Sequence, residues 1–298
     1  MADVIYKSLE QIKRCGVYTV LDLDDIDSVV IRRSLEWPSV RPRTAVGRYL
    51  HNLDFRRLER YEMKIVPPFH ACIVCSDIDR DKILNMRLSG NPWIIPNCVD
   101  IEYFQPGEPE DESPHDILFL GNMKYSANVD AVIYFVKEIF PRIAEKMPDC
   151  RFLAVGRNAV NALSMVTQLD GVSVVGDVSD TREFYRKAAL VVTPIRFGGG
   201  TRIKVLEAMA MMKAIVSTAV GVEGIGAADG KEIVVADNEE DFAAKCVYLL
   251  GNRQVRATIG ENARRLVAEK YDVNVIDKIV RGYYLSAQGI SEEVLSAV

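Results

Sequence analysis

The chain has 298 residues, 49% hydrophobic and 27% charged, and its 37 basic against 42 acidic side chains leave a formal net charge of −5. This composition excludes a disordered chain, and it argues against a dedicated polyanion binder, whose basic excess would dominate. The length suits two domains of common size, and no apolar run approaches the ~18 residues of a membrane span.

The first residues show no basic segment followed by an apolar stretch and a small-residue cleavage site, so no secretory signal is read there. Ala2–Tyr6 reads as a strand, as do Val17–Leu21, Ala71–Ser76 and Trp93–Pro96, which together suggest an α/β sheet. From Arg32 to Lys64 the pattern is polar and helical. It carries Arg32, Arg33, Arg41, Arg43, Arg48, Arg56, Arg57, Arg60 and Lys64 against Glu36, Asp54, Glu59 and Glu62, nine minus four, or +5. This is either a solvated helical face or a surface for an anionic acceptor or membrane leaflet.

Gln105–His115, with Pro106, Pro109, Pro114 and four acidic residues, reads as an interdomain linker that forms neither strand nor packed helix. Beyond it, short β-branched runs recur at Ile117–Leu120, Phe152–Val155, Val172–Val175, Leu190–Thr193, Ala214–Ser217 and Glu232–Val235. Helical patterns at Asn128–Met147, Thr181–Ala189, Thr201–Met211 and Glu239–Leu250 alternate with them. Strands apolar on both faces, alternating with helices, predict a doubly wound parallel sheet. Cys72 and Cys75 form a CxxC, but no second pair of soft ligands stands at matching spacing, and the six cysteines read as buried reduced thiols.

The chemistry concentrates at Gly198-Gly199-Gly200-Thr201-Arg202-Ile203-Lys204-Val205-Leu206-Glu207. Glycines let backbone approach a ligand closely, and the unpaired amides of a beginning helix favour an anion such as a diphosphate. Arg202 and Lys204 add positive charge, and Glu207, further along the helix, is able to accept hydrogen bonds from sugar hydroxyls.

The segment Pro194–Val220 resembles the donor-binding signature of group 1 glycosyltransferases of the GT-B fold. Ile95-Pro96-Asn97-Cys98-Val99-Asp100 is similar to the family's Pro-Asn-Gly-Val-Asp motif. Leu118-Phe119-Leu120-Gly121-Asn122-Met123 is similar to its opening strand and turn, and Val174-Val175-Gly176-Asp177-Val178 to its base-contacting turn. The resemblance covers residues 70–285. It implies transfer of a sugar from a nucleotide-diphosphate donor, with retention and with no metal or other cofactor. It places Gly121, Asn122, Lys124, Val178, Gly199, Gly200, Thr201, Arg202, Ile203, Lys204 and Glu207 around the donor. Glu207 would hold the ribose, the amides from Gly200 to Ile203 the diphosphate, and Arg202 and Lys204 would stabilise the leaving group as the catalytic residues. Two positions depart from the pattern. Gly199 stands where the family commonly carries a second glutamate, and Asn122 where a basic clamp usually begins.

The expected architecture is α/β and GT-B-like, with two Rossmann-like parallel-sheet domains, the first incomplete. It comprises a partial acceptor-side domain at 1–104, a linker at 105–115, a donor domain at 116–272, and a helix and tail at 273–298 crossing back to the first domain. The expected partners are a nucleotide sugar and a glycan or lipid-linked acceptor, as in surface polysaccharide or glycolipid synthesis, and no nucleic acid. The expected location is the cytoplasm, with peripheral contact at the inner membrane face through residues 32–64. Two alternatives stay open. An inactive nucleotide-sugar-binding partner protein would keep the donor domain alone. Asp22-Leu23-Asp24-Asp25 is similar to the DxD of metal-dependent GT-A transferases and of haloacid-dehalogenase-type phosphohydrolases.

Overall fold

The computed structural model describes residues 2–37 and 44–289. Their contacts divide the chain into one unit of Met1–Asn97, Gly199–Thr201 and Asn274–Val298, and a second of Cys98–Gly198 and Arg202–Val273.

The first unit opens with α1 (Ala2–Arg14), a helix where the apolar start suggested a strand. It continues through β1 (Val20–Asp22), α2 (Asp27–Glu36), α3 (Ala45–Ile65), β2 (Ala71–Val74), α4 (Asp77–Asn85) and β3 (Pro92–Ile94). The strands form a parallel sheet in the order β1-β2-β3, with Leu21 beside Cys72 and Ile73 beside Trp93. The region read as one polar helical stretch is thus two helices, and Arg41 and Arg43 lie outside the described residues.

Local chemistry fixes these helix ends and their pairing. The Thr44 hydroxyl accepts from Gly47 N at 3.0 Å and the Ser76 hydroxyl from Asp79 N at 3.1 Å, each taking up an amide that the first turn leaves unpaired. Glu62 of α3 is buried against α2, where Ser28 N donates to Oε1 at 2.9 Å and the Ser28 hydroxyl donates to Oε2. Burial raises the Glu62 carboxyl above its ordinary value, and the Ser28 bonds pull it back. Ile26, Val66, Cys72, Val74, Ile83 and Leu88 form the core. The CxxC thiols are buried, as are Cys150 and Cys246, whereas Cys15 and Cys98 are exposed, against the expectation of six buried thiols; burial together with Asp24 pushes Cys75 up to about 12.

The second unit is a six-stranded parallel sheet in the order β6-β5-β4-β7-β8-β9. It is built from β4 (Ser113–Leu120), α5 (Ser126–Tyr134), α6 (Phe140–Lys146), β5 (Arg151–Val155), α7 (Ala159–Ala162), β6 (Val172–Val175), α8 (Arg182–Lys187) and β7 (Ala188–Thr193). It continues through α9 (Ile203–Ala210), β8 (Ile215–Ser217), β9 (Val234–Val235), α10 (Glu239–Gly251) and α11 (Arg253–Lys270). The central β4 lies between β5 and β7, with Ile117 beside both Phe152 and Leu190. Alternate residues of β4 feed two apolar clusters. Ile117 and Phe119 join Phe135, Phe152 and Phe242, while Leu118 and Leu120 join Val191, Leu206 and Met209. Burial of both faces explains the unbroken apolar runs.

Three expectations change here. The helix read across Asn128–Met147 is interrupted by a π-helical turn at Phe135–Ile139, where Phe140 N reaches Phe135 O. Pro141 follows directly, and its missing N–H breaks the regular ladder. The stretch Gln105–His115 is structured rather than free of regular elements. It holds a 3₁₀ turn at Pro109–Asp111 and the start of β4, whose register shifts between Ser113 and Ile117 around Pro114. Glu112 anchors it, taking Arg256 Nη2 at 2.5 Å and Lys213 Nζ at 3.5 Å. The third change is α11, which sequence periodicity did not reveal.

After α11, α12 (Val273–Ala287) has its residues from Asn274 onward in the first unit. There Tyr283 stacks on Trp93 with ring centroids 5.1 Å apart, and Ile94 N donates to the Tyr283 hydroxyl at 3.2 Å. Tyr18 stacks on the same Trp93, and His70 on Tyr18.

Candidate functional site

At the C-terminal end of β4 the chain turns at Gly121-Asn122. Gly121 N donates to Val155 O at 3.0 Å, and Gly156, with φ of 142°, lies so close that a Cβ on it would stand 2.0 Å from Gly121 O. Only glycine takes that backbone angle without strain, so this contact fixes the turn against β5. Asn122 closes it, its Oδ1 accepting from Lys124 N at 3.1 Å and its carbonyl from Tyr125 N at 3.2 Å. The Asn122 and Lys124 side chains are exposed.

Across from this turn α9 begins. Arg202 is its extended N-cap residue and is buried, whereas Ile203 at the first helical position is 49% exposed. The helix starts two residues later than its pattern suggested. Gly198, with φ of 132°, leaves only 3.1 Å between a built Cβ and either Arg202 Nη2 or the Tyr125 hydroxyl.

Lys204 links α9 to the turn. Its Nζ donates to Asn128 Oδ1 at 2.5 Å, lies 4.3 Å from the Phe119 ring centroid, and would stand 2.9 Å from a Cβ on Gly121. A side chain at position 121 would displace the ammonium. Burial, and then the Arg202 guanidinium, push Lys204 down to about 7, against the pull of Glu207. Three residues further along α9, Glu207 accepts the Tyr185 hydroxyl of α8 at 2.9 Å, and that hydroxyl also reaches Lys204 O at 3.1 Å. Burial raises the Glu207 carboxyl, while Tyr185 and Lys204 lower it.

The strand end before the glycines is also held. Arg196 donates to Asp130 through Nε at 2.9 Å and Nη2 at 2.7 Å, and its guanidinium lies 4.2 Å from the Tyr134 ring. Val178, in the loop after β6, is half-buried against the second unit's core.

Gly121, Arg202, Lys204 and Glu207 therefore gather within the second unit. Gly199, Gly200 and Thr201 group by their contacts with the first. There Asn97 Nδ2 donates to Thr201 Oγ1 at 2.8 Å. A Cβ on Gly199 would stand 2.6 Å from both Asp25 Oδ1 and Val30 Cγ2, so the glutamate of the family pattern would require these side chains to shift. Asp22 ends β1, and among the described residues no three His, Cys, Asp or Glu side chains are grouped to hold a metal.

Sequence reasoning missed Asn128, Tyr185 and the Asp130–Arg196 pair. Their partners lie 76, 22 and 66 residues away, so no local pattern marks them.

Residues 114–252, running from within β4 to the end of α10, match the family model for group 1 glycosyl transferases. This stretch resembles a group 1 glycosyltransferase domain. An uncharacterized 44.6 kDa protein of the cps region of Klebsiella pneumoniae is 28% identical to the chain over 166 residues, or 53% of this chain and 42% of that protein. An uncharacterized glycosyltransferase of Methanocaldococcus jannaschii is 28% identical over 214 residues, covering 69% and 57%. The chain thus spans about half the length of these curated relatives. Among solved structures, Anabaena HepE in complex with UDP and glucose aligns with a TM-score of 0.70 at 13% identity, over 96% of this chain and 76% of that one. That likeness shows the fold, which is the GT-B glycosyltransferase type with two parallel-sheet units, the first with three strands and the second with six.

Proposed function

We propose that the chain transfers a sugar from a nucleotide-diphosphate donor to an acceptor glycan or lipid-linked sugar, with retention and without a metal. The observation that carries this reading is the pair Arg202 and Lys204 at the start of α9, with Lys204 Nζ drawn over the Gly121 turn. As the glycosidic bond breaks, negative charge builds on the leaving diphosphate. Cations held in place beforehand stabilise that charge more than they stabilise the ground state. The first amides of α9 point the same way along the helix dipole. Two protein cations here take the role a divalent ion plays in metal-dependent transferases. Glu207, held by Tyr185, would accept the ribose hydroxyls. HepE, of the same fold, is described with UDP and glucose, which makes UDP-glucose the first donor to test.

On the acceptor side, α3 supports a peripheral contact with an anionic membrane. Val46, Tyr49 and Leu50, at 69%, 64% and 54% exposure, occupy one stripe in its first turns. Exposed Arg56, Arg57, Arg60 and Lys64 follow toward its C-terminus. Apolar side chains beside basic ones suit a surface of acidic headgroups. Among the described residues no helix is long and apolar enough to cross a membrane.

The test is release of nucleoside diphosphate from a panel of UDP- and GDP-sugars. Release of one of them is expected, and the variant carrying Arg202→Ala with Lys204→Ala should lose it, at about 1.5–3 kcal/mol for each charged hydrogen bond removed. Donor binding with no release would leave a nucleotide-sugar-binding protein instead.

A further inference from the structure

We propose that Asn128 is the positioning residue of the donor site, holding the Lys204 ammonium over the Gly121 turn where the diphosphate would sit. This rests on the donor-site reading above and assigns a role to a residue outside the triple-glycine motif.

Asn128 is buried in the first turn of α5. Its two amide atoms have different partners. Oδ1 accepts from Lys204 Nζ at 2.5 Å, and Nδ2 donates to Asn122 O at 2.8 Å. Turning the amide over would face its NH₂ toward an ammonium and its oxygen toward a carbonyl, so these partners admit one orientation. Asn128 thereby ties three segments together: the turn after β4, the start of α5 and the start of α9. Nζ also lies 4.3 Å from the Phe119 ring centroid and would stand 2.9 Å from a Cβ on Gly121, and neither residue offers a conventional acceptor side chain.

The charged groups acting on Lys204 are Arg202 and Glu207, both of α9. The Tyr185 hydroxyl from α8 meets its carbonyl rather than its ammonium. Neither β4 nor α5 brings a charged side chain among the causes of its shift. In that setting a neutral amide oxygen is a deliberate choice. It orients the ammonium and supports its charge without cancelling it, which a carboxylate would do in competition with the diphosphate. Since Lys204 sits near 7, its charge at neutral pH is sensitive to what accepts its proton bond. An arriving diphosphate draws the proton on, so affinity should fall as pH rises above 7, approaching about tenfold per unit for one linked proton.

The experiment is calorimetric titration of the full chain with UDP, and in parallel GDP, from pH 6.5 to 9. It compares wild type, Asn128→Ala, Asn128→Asp and Lys204→Met. The falling limb should move to lower pH in Asn128→Ala, which removes the accepting oxygen. It should move to higher pH in Asn128→Asp, whose carboxylate favours the ammonium, with weaker binding at the plateau. Lys204→Met should flatten the limb, and adding Asn128→Ala to it should cost little more. Where each variant is fully folded across the pH range, the position of the limb is independent of stability. An unmoved limb, or an equal loss from Asn128→Ala with and without Lys204, overturns the positioning role while leaving the donor site intact. Binding of neither nucleotide at any pH overturns the donor-site reading itself.

Discussion

Lys204 shows how one residue ties stability to chemistry. Its lowered value means the folded chain holds this proton less tightly than the unfolded chain does. Between about 7 and the ordinary 10.5 the unfolded state binds more protons, so this group makes stability rise with pH across that window. The Lys204→Met variant should lack that rise. Denaturant midpoints at pH 7 and pH 9 measure it directly, and a larger gain in the variant than in wild type would contradict the buried, weakly held ammonium. At the residue scale the sequence made Arg202, Lys204 and Glu207 legible because glycines, cations and a carboxylate stand together at the start of one helix. Asn128 and Tyr185 were not legible, because their roles exist only once α5 and α8 are folded against α9. Gly199 belongs between these cases: the departure was visible in the sequence, but the close approach of Asp25 and Val30 to it required the fold.

At the scale of elements, the strands of the second unit read clearly since burial of both faces selects β-branched and aromatic residues. Boundaries were less legible where local chemistry competes. Ala188 and Ala189 carry no strand signal, yet they begin β7 beside the buried β4. In α11, Arg256 and Gly260 are buried, against their usual exposure and helix preference. Arg256 donates to Leu249 O and Leu250 O at the end of α10, and Gly260 lets Met212 O approach. Neither residue announces a helix by hydropathy. The α3 helix illustrates the opposite case, an outward stripe of Val46, Tyr49 and Leu50 that folding leaves exposed. If this stripe meets acidic lipid, the full chain should sediment with phosphatidylglycerol vesicles, more weakly at high salt, and not with phosphatidylcholine alone. Arg56→Glu with Arg60→Glu should abolish that binding. Equal sedimentation with both lipids would contradict charge-guided contact.

Across the whole molecule, the chain divides into a first unit with a three-stranded sheet and a second with six strands and both apolar clusters of the larger core. The βα rhythm from Ile117 onward made the second unit legible as a doubly wound sheet. In the first, the short strands and the helix α1 at an apolar start hid the organisation. The Gly121 turn and the α9 cations Arg202 and Lys204 lie together in the second unit, so the account stands or falls on whether a nucleotide donor binds. Thermal unfolding of the full chain with millimolar UDP, GDP and their sugars tests this most directly, because a ligand that binds only the folded state raises the midpoint by mass action. The account predicts a rise with one nucleoside diphosphate and its sugars, lost in the variant combining Arg202→Ala with Lys204→Ala. An unchanged midpoint with every nucleotide would contradict it.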